Sequence, residues 1–437
     1  MFTSNRTRSR QRLSLLFMGL LFSFSALAEE PFIIGVGTHL LNKSGSLAST
    51  MKLIADAGIT SVRDDAYWST VEPRKGQMHI DSVWTKYLSE AAAHRLSPLL
   101  VLGYGNPFYG DNPKPRTAPI RSAFANYTKF VSRQLGDSVG FYEIWNEWDQ
   151  ESPEDTALSS DYSALVTEAV QRIRSQNKRV TILAGAVTSK GIDLGFADRL
   201  IEADVLSKVD GISLHPSVYC RNVERHTPEG WIAWLRDVDA NLRSIANKPV
   251  PLYLTEVGWP SNDGNCGVDE KTQAAYLARS FFLGRTLPDI KGMWWYDLIN
   301  EGSDPSEIKQ NFGLLQQNLE PKPAYRTLKV ISPTLREFHY EAEKSREADN
   351  NYLLRFSKDS EQILVAWSTA EGQTTRVDAS SIQQGNVQLI DTGEPEKGRF
   401  DSGIPWKCDE NRCSAEVEIN EFPKIISLGT RPPLFAQ

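Results

Sequence analysis

Residues 140–148, Gly-Phe-Tyr-Glu-Ile-Trp-Asn-Glu-Trp, and residues 250–259, Val-Pro-Leu-Tyr-Leu-Thr-Glu-Val-Gly-Trp, are the most informative stretches of this chain. Each is a short apolar run of β-forming residues that ends in a carboxylate flanked by tryptophan. The carboxylate is Glu147 in the first stretch and Glu256 in the second. Such runs predict β-strands, so we expect two strands that each carry a glutamate at the carboxyl end.

Similar apolar, β-rich runs recur through the first 300 or so residues, with amphipathic segments between them. Eight of them begin near Phe32, Thr60, Pro98, Gly140, Val180, Val209, Pro251 and Lys291. Repeated strand–helix units predict an α/β fold, a (β/α)8 TIM barrel, with the two glutamates closing its fourth and seventh strands. An open doubly wound sheet is the competing fold, but the glycine-rich phosphate loop expected after its first strand is absent.

The pattern changes after a last helical segment at 325–332. Residues 335–437 contain short alternating strands separated by turns such as 391–393 and 401–403. We therefore predict a barrel over residues 29–334 and a small C-terminal β-sandwich over residues 335–437. Bracing the barrel is the expected role of this second domain, and sugar binding is the alternative.

The first 28 residues have the pattern of a secretory signal peptide. Four arginines lie between residues 6 and 12, an apolar stretch covers residues 13–27, and Ala26-Leu27-Ala28 fits the small-residue cleavage rule. The apolar stretch is shorter than the roughly 20 residues that a membrane span needs. We expect cleavage near Ala28 and an exported, periplasmic or secreted chain without a membrane span. An uncleaved anchor is the alternative.

The four cysteines are consistent with disulfide bonds in an exported protein. Cys408 and Cys413 could clamp a hairpin, while Cys220 and Cys266 follow neighbouring predicted strands and could join two adjacent loops. A metal site would need more ligands than one Cys-x4-Cys pair offers. We expect no metal and no cofactor.

Composition and charge narrow the class of partner. The formal net charge is −7 and no basic cluster follows the first dozen residues, which argues against nucleic-acid binding. The chain has 11 Trp and 14 Tyr, whose ring faces could hold sugars. Two carboxylates among aromatic rings are the minimal equipment for cleaving a glycosidic bond. The expected partner is therefore a polysaccharide, bound by a monomer.

The chain resembles the retaining (β/α)8 hydrolases of glycoside hydrolase clan A over residues 32–331. Their signature is Asn-Glu at the end of strand four and Glu at the end of strand seven, here Asn146-Glu147 and Glu256. Further matching features are Arg63, Trp68-x2-Val71-Glu72-Pro73-x2-Gly76, His215, and the segments 294–298, 311–314 and 321–325. Within the clan, the chain is most similar to family 39 enzymes with a C-terminal β-sandwich, including exported endoglycosidases associated with exopolysaccharide synthesis.

This resemblance implies that Glu147 is the general acid/base and Glu256 the nucleophile. Retaining enzymes hold these two carboxyl groups about 5–5.5 Å apart and form a covalent glycosyl-enzyme intermediate. We expect a desolvated site and a neighbouring carboxylate to raise the pKa of Glu147. Arg63 is the cation expected to keep Glu256 ionised.

The resemblance also implies roles around the two carboxylates. Asn146 would bond the sugar 2-hydroxyl, and His215 would fix either the acid/base or a sugar hydroxyl, although a lone histidine is more often structural. Clan members often have a tyrosine two residues after this histidine. Here that position is Ser217, which leaves Tyr219 as the alternative.

Trp295 is the expected aromatic floor of the cleaved-sugar subsite, since strand alternation lets only one of Trp294 and Trp295 face inward. Other residues after predicted strands could equally bind sugar or pack in the core. They are His39, Trp68, Tyr104, Asn106 and Trp259.

The resulting hypothesis is a retaining glycoside hydrolase that cleaves an exopolysaccharide-like or β-glucan/mannan-like chain, with endo-action implied by the resemblance. Three alternatives stay open. The chain could bind carbohydrate without cleaving it, could be a scaffold of exopolysaccharide export, or could transfer the sugar to another sugar instead of to water.

Overall fold

The computed structural model describes Met1 and residues 31–42, 47–110, 114–379, 385–409 and 412–430. The architecture lies within one unit, Phe32–Gln437. The predicted signal peptide, residues 1–28, lies outside the described residues except for Met1, and its cleavage stays a prediction. No helix in the described part of the chain is both long and apolar enough to cross a bilayer.

Eight parallel strands close into a barrel in which each strand pairs with the next and the eighth pairs with the first. This confirms the predicted (β/α)8 barrel. The strands are β1 Ile33–Gly37, β2 Ser61–Tyr67, β3 Ser97–Gly103, β4 Phe141–Ile144, β5 Thr181–Thr188, β6 Gly211–His215, β7 Leu252–Val257 and β8 Ile290–Trp295.

Helices connect the strands and cover the outside of the barrel. Acidic N-caps begin several of them: Asp155 accepts from Ala157 N–H, and Asp269 accepts from Thr272 N–H. The helices are α1 Leu47–Asp56, α2 Trp68–Val71, α3 Ser82–Ala93, α4 Ala118–Leu135, α5 Thr156–Arg174, α6 Ser189–Asp193, α7 Phe196–Glu202, α8 Val223–His226, α9 Pro228–Ala246, α10 Glu270–Gly284 and α11 Pro323–Glu337.

Bulky side chains fill the interior of the barrel. The buried cluster there consists of Leu99, Val101, Leu183, Tyr253 and Trp294. Trp294 occupies the space beside Gly35, where an added Cβ would lie 2.1 Å from the indole Cδ1. The interior is therefore a packed core, and room for a ligand is found at the carboxyl ends of the strands.

Antiparallel sheets follow the barrel, as predicted for a C-terminal β-sandwich. One sheet has the order β10-β11-β12-β18-β14-β15 with β9 paired to β11, the other has the order β13-β17-β16, and a shared apolar cluster packs between them. The strands are β9 His339–Tyr340, β10 Arg346–Ala348, β11 Asn351–Lys358, β12 Glu361–Ser368, β13 Gln373–Ala379, β14 Asn386–Asp391, β15 Arg399–Pro405, β16 Lys407–Cys408, β17 Cys413–Ile419 and β18 Lys424–Thr430.

The C-terminal sheets are bound to the outer helices of the barrel. Arg236 of α9 donates two hydrogen bonds to Glu347, at 2.9 and 2.8 Å. Trp367 donates to Glu229 at the start of α9, at 2.9 Å. These polar contacts fit a bracing role for the sheets. The predicted domain boundary after residue 334 stays a prediction.

The contact between Gly35 and Trp294 predicts that one added methyl group at position 35 lowers the stability of the protein. Gly35→Ala should destabilise the protein by about 1–3 kcal/mol, because the barrel interior has no room for the added carbon. Urea unfolding followed by tryptophan fluorescence measures this difference. Gly37→Ala, whose Cβ would have no neighbour closer than 3.8 Å, is the matched control. Equal stability of the two variants would contradict the packing argument.

Candidate active site

Arg63 is the buried cation at the centre of the barrel mouth. It lies on β2 and its side chain is only 4% exposed. Its Nε donates to Glu143 at 2.8 Å, Nη1 to Glu256 at 2.7 Å, and Nη2 to Asn146 at 2.8 Å. Burial lowers the pKa of Arg63, but the charges of Glu143 and Glu256 outweigh burial and raise it. Arg63 on β2 is therefore bonded to β4, to the turn after β4 and to β7.

The turn after β4 has an unusual backbone. Trp145 has a φ of 66° and Glu147 a φ of 47°, in the left-handed region that residues other than glycine seldom adopt. Backbone strain of this kind is often found at functional sites. The turn presents Asn146 to Arg63 and Glu147 to His215, so two consecutive side chains reach the same centre.

His215, the last residue of β6, is buried between the carboxylates. Its Nδ1 lies 3.0 Å from Glu147 Oε1, and its Nε2 lies 3.1 Å from the hydroxyl of Thr255. That hydroxyl donates to Glu143 at 2.8 Å, and Arg63 Nη2 lies 3.4 Å from the same ring nitrogen. Burial lowers the pKa of His215, but the charge of Glu256 and the hydrogen bond to Glu147 raise it above its usual value.

The acidity of Glu147 differs from the sequence expectation. Burial raises its pKa, as expected, but the hydrogen bond and charge of His215, with the charges of Arg63 and Lys309, outweigh burial and lower the pKa. The expectation of a raised pKa is wrong, because it did not include the contact between His215 and the carboxylate.

Glu147, His215 and Glu256 form a tight group. One ligand atom from each lies within 4.8 Å of the other two. This spacing is close to that of retaining enzymes and shorter than the roughly 6.5–9.5 Å that leaves room for an attacking water. Such a trio could also hold a metal ion. The guanidinium of Arg63, 2.7 Å from Glu256, already places a positive charge there and disfavours a second cation.

A cavity of about 620 Å³ opens above this group, lined by loops that follow β4 to β8. Tyr219 and Tyr296 both line it. Burial raises the pKa of Tyr219, and the charges of Glu147 and Glu256 raise it further. Burial followed by the charge of Glu256 does the same for Tyr296. The structure therefore brings Tyr219 and Ser217, the two positions weighed from the sequence, to one wall of the cavity.

Trp295, predicted to be the aromatic floor of the cleaved-sugar subsite, does not line the cavity, whereas the next residue, Tyr296, does. Trp295 is fully buried, its indole N–H donates to the backbone of Phe312 at 3.2 Å, and its ring lies 6.2 Å from that of Trp259. The inward-facing partner on β8 is Trp294, deep in the barrel. β8 ends at Trp295, so the next residue, Tyr296, is the one that reaches the cavity.

Three other residues considered as sugar platforms are structural. Trp68 is fully buried and donates to Glu72 at 2.7 Å. Trp259 is 1% exposed and donates to the backbone of His226 at 2.7 Å. Asn106 is 4% exposed and its amide bonds the backbone of Glu72 at 3.0 Å. Binding roles for these three are wrong, because no face of them is open to a ligand.

His39 and Tyr104 gather around a carboxylate beside Arg63. His39 Nδ1 lies 3.4 Å from Asp65, and the hydroxyl of Tyr104 donates to Asp65 at 3.1 Å. Both side chains are partly exposed, so sugar binding by either stays a prediction. Asp65 itself was not identified from the sequence, although its alternation with Arg63 on β2 places both on the inner face.

Two further polar residues of the site were also missed. Glu143 and Thr255 are fully buried and bonded to each other and to Arg63 or His215. A charged residue within an otherwise apolar strand, as Glu143 is in β4, was the available signal, because such a group needs a buried partner.

Both expected disulfide bonds are present. Cys220 is joined to Cys266, and Cys408 to Cys413. Cys220 follows Tyr219 and lines the cavity, so the first bond ties the loop after β6 to the loop after β7. The second closes the β16–β17 hairpin.

The cellulase family, glycosyl hydrolase family 5, matches residues 26–296. A β-xylosidase from Geobacillus stearothermophilus is 24% identical over 254 residues, which cover 54% of this chain and 49% of that protein. The chain thus spans about half the length of this curated relative.

Solved structures extend the likeness to the C-terminal sheets. A family 39 glycoside hydrolase from Bacteroides cellulosilyticus WH2 has a TM-score of 0.75 at 28% identity, covering 92% of this chain and 81% of that chain. A family 39 enzyme from Xanthomonas axonopodis pv. citri has a TM-score of 0.61 at 12% identity, covering 92% and 94%, a likeness that shows the fold alone. Together these matches confirm the resemblance to clan A enzymes of the family 39 type.

The contacts of His215 predict that its pKa depends on the charge at position 256. Glu256→Gln should lower the pKa of His215, because burial then acts without the largest charge that opposes it. NMR titration of the imidazole signals, assigned with a His215→Asn variant, measures the change. Glu301→Gln, which removes another cavity carboxylate, is the matched control. An unchanged His215 pKa in Glu256→Gln would contradict the described electrostatics.

Proposed function

Because the chain belongs to the cellulase family, glycosyl hydrolase family 5, we propose that it is a retaining glycosidase that cleaves a β-linked polysaccharide. Glu147 is the proposed acid/base and Glu256 the proposed nucleophile. The observation that carries the proposal is the close approach of Glu147, His215 and Glu256 at the barrel mouth, within 4.8 Å of one another, with Arg63 bonded to Glu256.

The first step forms a glycosyl ester. Glu256 attacks the anomeric carbon while the bond from that carbon to the leaving oxygen breaks, and Glu147 gives this oxygen a proton. Glu147 obtains the proton from His215 Nδ1, 3.0 Å away. Arg63 bonds Glu256 and holds its carboxylate in place for attack, and Asn146, held by Arg63, bonds the 2-hydroxyl of the sugar.

The second step returns the enzyme to its starting state. Esterification removes the charge of Glu256, which is the largest charge that raises the pKa of His215. Glu147 is then ionised and takes a proton from water, whose oxygen attacks the anomeric carbon and displaces Glu256. Glu147 passes this proton back to His215, which gave up its own in the first step. Two displacements on one carbon retain its configuration. A sugar hydroxyl in place of water would give transglycosylation by the same route.

The relatives and the cavity support a range of substrates. The curated relative is a β-xylosidase, so β-xylosides and xylans join the exopolysaccharide-like, glucan and mannan chains inferred from the sequence. A cavity of about 620 Å³ has the size of typical ligand pockets, roughly 300–1,000 Å³. Endo-action rests on the resemblance to family 39 endoglycosidases.

The second candidate function is carbohydrate binding without cleavage, alone or as a scaffold of exopolysaccharide export. The tyrosines lining the cavity are compatible with it. Two carboxylates this close, with His215 between them, are not needed for binding alone, and a purely binding site has no reason to bury them together. Retention of a polysaccharide by the wild type without release of reducing ends would favour this candidate.

Substitution of the nucleophile should abolish turnover without loss of the fold. Glu256→Gln is expected to lower release of reducing ends from bacterial exopolysaccharides, glucans, mannans and xylans by about 10⁴-fold or more. Circular dichroism and thermal unfolding check the fold, and Glu301→Gln serves as the matched control for a cavity glutamate. Full activity of Glu256→Gln would overturn its role.

The loss of activity on substitution of the acid/base should depend on the leaving group of the substrate. Glu147→Gln is expected to slow cleavage of the polysaccharide by about 10²–10⁴-fold, because a sugar alkoxide leaves poorly without a proton. Cleavage of a nitrophenyl glycoside of the same sugar should be affected far less in its first step. Equal losses on the two substrates, measured as kcat/KM, would contradict the assignment of Glu147.

The anomeric outcome is a further expectation from the carboxylate spacing. The first product seen by ¹H NMR should have the configuration of the cleaved bond, before mutarotation mixes the anomers. An inverted first product would exclude the covalent intermediate on Glu256.

A further inference from the structure

The wall of the cavity carries positive charges that the proposed hydrolysis does not require. Lys190 after β5, Arg221 after β6 and Lys309 after β8 all line it. Arg221 is paired with Asp193. Within the described ranges, neither Lys190 nor Lys309 has a carboxylate at ion-pair distance. In the part of the chain that the structure describes, two exposed lysines thus line the cavity without an ion-pair partner.

The position of these lysines relative to the proposed acid is informative. Lys309 lines the cavity together with Glu147, and its charge is among those that lower the pKa of that carboxyl, so Lys309 lies near the proposed acid. Lys190 comes directly after Thr188 and Ser189, which line the same wall. Glu301 also lines the cavity, so outside the proposed catalytic pair the lining has Lys190, Lys309 and Arg221 against this one carboxylate, in a chain whose formal net charge is −7. An excess of one sign of charge in a cleft concentrates ligands of the opposite sign.

The two sides of the site differ in charge. The sugar that becomes bonded to Glu256 is expected beside Arg63 and Asn146, where Asp65 is the neighbouring carboxylate. The part of the substrate that leaves lies beyond Glu147, since that residue protonates the leaving oxygen. The cavity wall with Lys190 and Lys309 is thus on the leaving-group side.

We propose that the leaving-group side of the cavity binds an anionic sugar, so that the substrate is an acidic polysaccharide. This inference rests on the proposed hydrolysis, which defines the two sides. The anion could be the carboxylate of a uronic acid or a sulfate ester, since an ammonium group binds both as a point charge. Lys190 and Lys309 are the specificity residues, and neither takes part in bond cleavage.

Exposed ion pairs are individually weak and are screened by salt. The effect is therefore expected on KM and on its salt dependence. At low ionic strength, KM for the charged polymer should be about five- to tenfold lower than for its neutral form. Raising the salt concentration to about 0.5 M should remove most of this difference, because the screening length then falls to a few ångströms.

Matched polymers provide the experiment. One pair is a glucuronic acid-bearing xylan and its carboxyl-reduced form, and the other is a sulfated glucan and its desulfated form. The wild type and a Lys190→Met/Lys309→Met double variant are compared by KM on each pair. Lys86→Met, an exposed lysine on α3 away from the cavity, is the control. The same chains with Glu256→Gln added are tested for retardation in gels that contain each polymer, which measures binding without turnover.

A preference of the wild type for one charged polymer, lost in the double variant and kept in Lys86→Met, would support the proposal, and the preferred pair identifies the anion. No preference in either pair by KM or by gel retardation would overturn it, as would a preference that the double variant keeps. Loss of the proposed hydrolysis is a separate result. In that case the wild type releases no reducing ends, while the gels still report whether the charged polymer binds more tightly.

Discussion

A single buried guanidinium sets the arrangement of the whole site. Arg63 lies in the barrel mouth almost without solvent, and a buried charge is stable only when its hydrogen-bonding capacity is matched by acceptors. Its acceptors come from β4, from the turn after β4 and from β7. The strained backbone at Trp145 and Glu147 follows from the same demand, since the turn must return an amide to the arginine while directing the next carboxylate across the mouth.

The fold could be predicted because it depends on a repeating pattern. Eight apolar runs at regular spacing indicate a barrel, and the barrel then brings Arg63, Glu147, His215 and Glu256 to one end regardless of their separation along the chain. The aromatic residues were harder to place. A tryptophan just after a strand can turn into the mouth or back between strand and helix. Trp68 and Trp259 turn back, and for Trp295 the deciding fact is that β8 ends there.

The pKa shifts in the site could not be predicted from the sequence either. The direction of the pKa shift at Glu147 depends on whether burial or the contact with His215 is larger, and only the 3.0 Å separation decides it. The raised pKa of His215 depends in turn on the charge of Glu256 and on its hydrogen bond to Glu147, which outweigh burial. Glu143, His215 and Thr255 come from β4, β6 and β7 and are joined by hydrogen bonds. No local sequence pattern predicts such contacts.

The cavity wall is built differently from this polar centre. Tyr219, Lys190 and Lys309 lie on connections outside the hydrogen-bond network of Arg63, and the bond between Cys220 and Cys266 holds part of the wall in place. Changes in these connections leave the buried acceptors untouched. Substitutions in these loops could therefore change the substrate specificity while the catalytic centre keeps its geometry.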